Sequence, residues 1–268
     1  MYNTDLPVVS FAGVFVMIPS PDKFYSARVT YRRDFAPGYW IFRVDPGGEF
    51  KFVSGQYATI GAEGPDGFVE RPYSIVSSPY ERELEFFIEA VADGEMTPLL
   101  RDAQAGKALS LRKTAKGRFT LDLASGHHHH LLLCTVTGIA PYVSHVRTLY
   151  TDWKENRFPH GLRVYVIQGA SRSWEFGYRE ELEAIAANVP WLAYVPTVSR
   201  FVEDPSWSGE TGRVDDIIRK YTDAWDLPRM DTTAYLCGHP SMVEVGTKIL
   251  ERAGFPAKSL KQEVYWVE

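Results

Sequence analysis

The sequence predicts two domains, an antiparallel β-barrel followed by an α/β domain built on a parallel sheet. Three observations carry this. Between residues 25 and 121 about six or seven short alternating runs, separated by proline–glycine turn signals, read as strands of a small barrel. After residue 125 the texture changes, and strand-like runs alternate with helical ones, as in a sheet with crossover connections. The length of 268 residues suits two domains of ordinary size. The expected boundaries are an extension over residues 1–22, a barrel over 23–125 and the α/β domain over 126–268.

Composition narrows the function. A net charge of −5 argues against a general nucleic-acid binder. Two cysteines, Cys134 and Cys237, are too few for a disulfide framework or for an iron–sulfur cluster ligated by four cysteines of this chain. The apolar stretch over residues 11–18 is too short to span a bilayer and has no basic region before it. The expectation is a reduced, cytoplasmic, soluble protein.

Taken in order, residues 1–22 read as an extension punctuated by Pro7, Pro19 and Pro21. Strands are expected over 25–33, 39–44, 52–60, 71–76, 84–91, 108–113 and 118–121. One helix interrupts them, with Thr97 as N-cap and Pro98 at its first position. Such a start offers backbone N–H groups to a diphosphate. In the second half, strands are expected over 130–134, 163–169, 192–198 and 233–237, and helices over 142–153, 178–188, 214–221 and 242–253. In open parallel sheets ligands sit beyond the carboxyl ends of the strands. Those ends, at residues 135–138, 169–172, 199–200 and 237–240, are small, polar or cationic. Four consecutive histidines, His127 to His130, lack the cysteine or carboxylate company of an ordinary metal site, and in a strand alternate ones face apart.

The stretch Arg71-Pro72-Tyr73-Ser74 stands out within the barrel region. In extended chain Arg71 and Tyr73 share one face and Ser74 lies on the other. A guanidinium, an aromatic ring and a hydroxyl suit a flat, phosphate-bearing ligand, although the same four residues also suit an ordinary turn and strand.

Four motifs in order then resemble the ferredoxin–NADP reductase family, closest to its bacterial ferredoxin/flavodoxin branch. They are Arg71-Pro72-Tyr73-Ser74, Gly94-Glu95-Met96-Thr97, Thr137-Gly138-Ile139-Ala140-Pro141 and Cys237-Gly238-His239-Pro240, and Glu263-Val264-Tyr265 adds a fifth. The resemblance spans residues 25–268 and implies a FAD-binding barrel before a Rossmann-like NADP-binding domain. It implies that Arg71, with Pro72 beside it, binds the FAD diphosphate, that Tyr73 stacks on the isoalloxazine and that Ser74 bonds near flavin N5. Phe87, Ile88, Glu89 and Ala90 would line the flavin or its ribityl chain. Glu95, Met96 and Thr97 would hold the diphosphate. Thr135, Thr137 and Gly138 would lie near the dinucleotide phosphates, and Cys237 with Gly238 would lie against the nicotinamide. Glu263 and Tyr265 match the family's C-terminal carboxylate and stacking aromatic. The catalytic set would be Ser74, Cys237, Glu263 and Tyr265.

The same resemblance puts Ser199, Arg200 and Arg213 around the 2′-phosphate of NADP, with Arg172 nearby. A phosphate dianion is matched by clustered guanidiniums, whereas an NAD site more often shows an acidic residue for the ribose. NADPH is therefore expected over NADH. Three departures stand out. Val136 occupies a position where the family has glycine, His239 replaces an asparagine, and Trp266-Val267-Glu268 extends past Tyr265. In some relatives a terminal Trp stacks on the FAD adenine, a role open to Trp266.

The expected activity is exchange of electrons between NADPH and a separate one-electron carrier, ferredoxin or flavodoxin. Arg112, Lys113, Lys116 and Arg118 form a candidate docking patch for such an acidic carrier. A monomer or weak dimer is expected, with neither metal nor nucleic acid. Two alternatives stand beside this reading. One is an NAD(P)H-dependent reductase that serves an oxygenase, or that reduces free flavin or quinone. The other is a non-catalytic flavin-binding redox sensor.

Overall fold

A computed structural model describes residues 8–11, 14–17 and 22–265. The chain divides into two compact units, Met1–Arg118 and Phe119–Glu268. Within the N-terminal extension, β1 (Val8–Phe11) pairs antiparallel with β2 (Val14–Met17). The prolines expected to punctuate that extension lie outside the described residues.

The first unit is a six-stranded antiparallel sheet. Its strands are β3 (Phe24–Ala36), β4 (Tyr39–Asp45), β5 (Tyr57–Gly64), β6 (Gly67–Ser74), β7 (Leu84–Glu89) and β8 (Ala108–Arg112). They run in the order β6-β5-β8-β3-β4-β7. Strand β3 is 13 residues long and pairs with β8 through its first half and with β4 through its second. Register shifts between Val29 and Tyr31 and between Asp34 and Ala36 bend it as bulges do. The outermost strands β6 and β7 touch, and the Val76 N–H donates to the Glu85 carbonyl at 2.9 Å, so the sheet curls towards a barrel. Trp40, Phe42 and Val44 of β4 alternate into the core, where Ile60, Phe86, Ile88 and Leu111 meet them. The helix α1 (Met96–Arg101) inserts Met96 and Leu100 into the same core.

Two expectations fail here. Residues 118–121 form no strand. Lys116 makes a single bridge to Tyr57, Gly117 turns the chain at φ +105, and Phe119 already belongs to the second unit, where it is buried against Tyr142 and Tyr235. Strand β5 begins at Tyr57 rather than residue 52, because the Gln56 N–H closes a turn onto the Val53 carbonyl at 3.1 Å.

The second unit has six parallel strands in the order β12-β11-β10-β9-β13-β14. They are β9 (His129–Thr135), β10 (Arg163–Ala170), β11 (Leu192–Val198), β12 (Glu210–Thr211), β13 (Thr232–Gly238) and β14 (Leu260–Val264). Helices α2 (Ala140–Lys154), α3 (Arg179–Asn188), α4 (Val214–Ala224) and α5 (Pro240–Arg252) connect them. The strand order reverses direction at β9, with β10 on one side and β13 on the other. Such a switch point is where open α/β sheets leave a crevice for ligands. Leu131, Leu133, Ala234 and Leu236 bury one sheet face against Ile218 of α4 and Met242, Val243 and Leu250 of α5. Strands β12 and β14 carry no sequence expectation. One is two residues long and the other is largely polar, so neither has the apolar run that marks a central strand.

Val136 has φ +41, a left-handed conformation that is a genuine outlier for a β-branched residue. Its side chain packs against the cluster of Ala170, Phe176 and Val198, and its carbonyl accepts from Gln168 Nε2 at 3.4 Å. Strain of about 1–3 kcal/mol is therefore held in place by packing. Val136→Gly should cost less than about 1 kcal/mol in urea unfolding, where the same change at an ordinary φ would cost about 3.

The four histidines each have their own neighbour. His127 Nδ1 lies 2.9 Å from the Thr233 hydroxyl, His128 pairs with Asp231 at 3.2 Å and His129 meets the Tyr165 hydroxyl at 3.1 Å. His130 is fully buried, with Nδ1 at 3.2 Å from the Tyr235 hydroxyl and Nε2 at 3.1 Å from the His127 carbonyl. Burial lowers its pKa to about 4, and burial likewise lowers that of His145 to about 3. Unfolded histidine binds a proton near pH 6.5 while these folded rings stay neutral. Their contribution is full above about pH 6.5 and is lost as the pH falls towards 4. Chemical denaturation at pH 7 and pH 4.5 should differ by about 2 kcal/mol or more. His130→Gln should shrink that difference and leave the share that comes from His145.

Candidate functional site

The residues singled out in the sequence fall into two sets, one in each unit. In the first unit, Arg71, Pro72, Tyr73 and Ser74 end β6, which pairs with β5 through Ile60↔Arg71 and Tyr57↔Ser74. Arg71 and Pro72 are exposed and Tyr73 packs against the core. Burial pushes the Tyr73 phenol far above its ordinary range, so it stays neutral. The Arg71 guanidinium meets the Glu95 carboxylate at 2.5 Å, which joins the end of β6 to the start of α1.

That helix start differs from expectation. Its N-cap is Glu95 rather than Thr97, and the helix begins at Met96. The Thr97 hydroxyl donates to the Val91 carbonyl at 3.0 Å and accepts the Val91 N–H at 3.1 Å, and the Met96 side chain is in the core. Met96 and Thr97 can therefore offer a ligand backbone N–H groups but not side chains. Strand alternation sorts the next set as well. Ile88 points into the core, while Phe87 packs on Phe35 and Tyr39 with ring centroids 5.5 and 6.4 Å away. Glu89 is exposed and accepts from the Tyr39 hydroxyl at 2.9 Å, and Ala90 packs at the core margin. Among these four, the side chains of Phe87 and Ile88 are both buried, and Ile88 lies within the core itself.

In the second unit the predicted residues converge at the carboxyl edge of the sheet. Cys237 pairs in register with Cys134 on one side and Glu263 on the other. The Tyr265 N–H donates to the Gly238 carbonyl at 3.1 Å. Strand β14 thus carries Glu263 and Tyr265 to Cys237. The Cys237 thiol is fully buried, and its pKa is raised by burial first and by the Glu263 carboxylate second, with a hydrogen bond from Tyr265 acting in the opposite sense. It is a neutral thiol and not a nucleophile.

Thr135, at the end of β9, accepts the His239 N–H on Oγ1 at 2.9 Å. Gly238 has φ +119, and a Cβ there would lie 2.4 Å from that same Oγ1. Thr137 and Gly138 lie in the 3-10 turn Val136–Ile139, where a Cβ on Gly138 would meet the Cys237 carbonyl at 2.5 Å. The ends of β9 and β13 are therefore pressed together, backbone to backbone. The His239 ring accepts the Ser241 N–H at 3.2 Å, so it caps α5. Trp266 lies outside the described residues.

Ends of β10, β11 and β12 bring the arginines together. The Ser199 and Arg200 N–H groups donate to the Ala170 and Ser171 carbonyls at 3.0 and 2.9 Å, so the two strand ends run on side by side. Arg213 follows β12 and caps α4, its guanidinium 3.1 Å from Asp215 and 3.3 Å from the Ser241 hydroxyl. Arg172 bonds Glu203, which also lies 3.8 Å from Arg200. Sequence reasoning missed three members of this edge. They are Glu203, the half-exposed Trp174 beside the Arg172 guanidinium at 5.6 Å, and the half-exposed Phe201. The only signal was their position, one to three residues from an arginine already chosen.

Comparisons with known proteins place both units in known domain families. Residues 34–121 match the oxidoreductase FAD-binding domain and residues 132–248 the oxidoreductase NAD-binding domain. A ferredoxin–NADP reductase of Azotobacter vinelandii is 30% identical over 229 residues, covering 80% of this chain and 83% of that protein. Another from Pseudomonas aeruginosa is 30% identical over 238 residues, covering 86% and 90%. Among solved structures, a ferredoxin NADP+ reductase of Neisseria gonorrhoeae with bound FAD and NADP superposes with a TM-score of 0.79 at 25% identity, covering 91% of this chain and 99% of that one. With both domains matched in order and relatives at this identity aligning over most of its length, the chain belongs to the ferredoxin–NADP reductase family.

Proposed function

We propose that this chain is a FAD-dependent reductase that exchanges electrons between NADPH and a small one-electron carrier, a ferredoxin or flavodoxin. The observation that carries the reading is the convergence of Cys237, Glu263 and Tyr265 at one strand end, next to the glycine-dependent contact of Gly138 and Gly238. FAD, when bound, supplies the conversion between a two-electron hydride and two single electrons.

The donor sets suit the two cofactors. Arg71 offers a half-exposed guanidinium, and the first N–H groups of α1 lie beside its partner Glu95, so a diphosphate would find charge and backbone donors together. An exposed ion pair of this kind is worth about 1 kcal/mol or less, so the phosphate can replace the carboxylate on Arg71. Tyr73 offers a neutral ring to a flat partner, and Ser74 offers a hydroxyl. The Thr137–Gly138 turn would hold the dinucleotide phosphates, while Ser199, Arg200, Arg213 and Arg172 would hold the 2′-phosphate. Cys237, small and neutral, would pack against the nicotinamide, Glu263 would place its carboxylate beside it, and Tyr265 would move aside to admit it. Positioning, rather than bond-making by the protein, is what these residues contribute.

For the carrier, Lys116 and Arg118 are exposed, whereas Arg112 is already paired with Glu70 at 2.5 and 2.9 Å and Lys113 lies 5.2 Å from the Tyr25 ring. Lys116 and Arg118 are therefore the residues of the proposed patch with charge left for an acidic partner. No helix among the described residues is long and apolar enough to cross a membrane.

An anaerobic titration tests the reading. NADPH should bleach the bound flavin at much lower concentration than NADH, and flavin that neither nucleotide bleaches would overturn the assignment. Arg200→Ala should raise KM for NADPH by at least about tenfold and leave KM for NADH within about twofold. Because burial keeps both thiols neutral, Cys134 and Cys237 should resist iodoacetamide at pH 8 in the folded protein and react on unfolding.

A further inference from the structure

The carboxylates around the three arginines are not equivalent. Glu175 lies 3.6 Å from Arg172, but it is buried and accepts the Ser171 N–H at 2.8 Å. Asp204 is buried and accepts the Ser173 N–H and the Ser206 hydroxyl, each at 2.8 Å. Asp215 stays with Arg213 on the first turn of α4. Each of the first two is fixed by backbone, and the third belongs to a helix end. Glu203 differs. It is half-exposed, and its carboxylate partners are the guanidiniums of Arg172 and Arg200, one oxygen on each. It bridges, from a short 3-10 turn (Phe201–Glu203), two cations that the ends of β10 and β11 set side by side.

We propose that Glu203 stands in for the 2′-phosphate of the dinucleotide between Arg172 and Arg200, and so sets how strongly the protein prefers NADPH to NADH. This rests on the reading above, in which these arginines hold that phosphate. An anion bound between two guanidiniums must first displace the anion already there. The carboxylate brings one negative charge and two oxygens, and the phosphate brings close to two charges and three oxygens, so the phosphate wins the site but loses part of its gain in doing so. NADH has a hydroxyl at that position and does not contest the arginines, so Glu203 taxes only the phosphorylated nucleotide. Half-exposure lets the side chain swing out to water without leaving a buried charge.

Binding of 2′-phospho-AMP and of 5′-AMP to the flavin-loaded protein, measured by calorimetry for wild type, Glu203→Gln and Arg200→Ala, tests the proposal. Glu203 is exposed enough that Glu203→Gln should unfold at the wild-type temperature. The expected result is that Glu203→Gln tightens 2′-phospho-AMP about tenfold and leaves 5′-AMP within about twofold. If Arg200→Ala weakens 2′-phospho-AMP but Glu203→Gln leaves it unchanged or weaker, the role of Glu203 is overturned while the arginine site stands. A loss of 5′-AMP affinity in Glu203→Gln would also overturn it, since Glu203 would then be a direct ligand of the nucleotide. If neither substitution changes 2′-phospho-AMP binding, the phosphate site itself is wrong and the proposal falls with it.

Discussion

Two glycines let the ends of two parallel strands touch, and the second unit's candidate site depends on that contact. Gly138 follows β9 and Gly238 closes β13, and a Cβ on either would meet an atom of the other segment at 2.4–2.5 Å. The Thr135 hydroxyl completes the contact by accepting the His239 N–H. Once the ends are joined, β14 can lie against β13 with Glu263 level with Cys237. Bulk at either glycine would separate the strand ends and with them the residues that the sheet aligns.

Val136 sits beside that contact and shows what it costs. A β-branched residue at φ +41 persists because Ala170, Phe176 and Val198 hold its side chain and the Gln168 amide holds its carbonyl. Gln168 is itself fixed, accepting from the Tyr194 hydroxyl at 2.6 Å. A buried side-chain chain thus supports the turn at Val136. The turn keeps its shape through tertiary packing instead of through intrinsic backbone freedom.

Charge at the strand ends follows a different logic. Arg71, Arg172, Arg200 and Arg213 each have a carboxylate at hand, and all four pairs are at least partly exposed. Exposed pairs contribute little to stability, so the carboxylates cost an incoming phosphate little to displace. They also keep clustered guanidiniums from repelling one another before a ligand arrives. By contrast Arg43–Glu85, with Glu85 buried, links β4 to its neighbour β7, and the bidentate Arg112–Glu70 pair reaches from β8 to β6 across β5.

Much of this was legible in the sequence. Strand β11 and the starts of β10 and α4 fall where the pattern puts them, since apolar runs between turn residues and crossover helices are local signals. The ordered motifs from Arg71 to Tyr265 identified the family, because each motif is a short stretch whose spacing survives divergence. Tertiary structure decided the rest. It withdrew Ile88, Met96 and Thr97 as side-chain ligands, since whether a residue faces a core depends on which strands pack there. It added β12 and β14, whose pairing comes from neighbours and not from their own composition. It set Glu203 between two arginines that are 28 residues apart in sequence, because only the side-by-side ends of β10 and β11 bring Arg172 and Arg200 within reach of one carboxylate. The sequence determines local periodicity and the order of motifs; contacts between residues distant in the chain exist only once the sheet has formed.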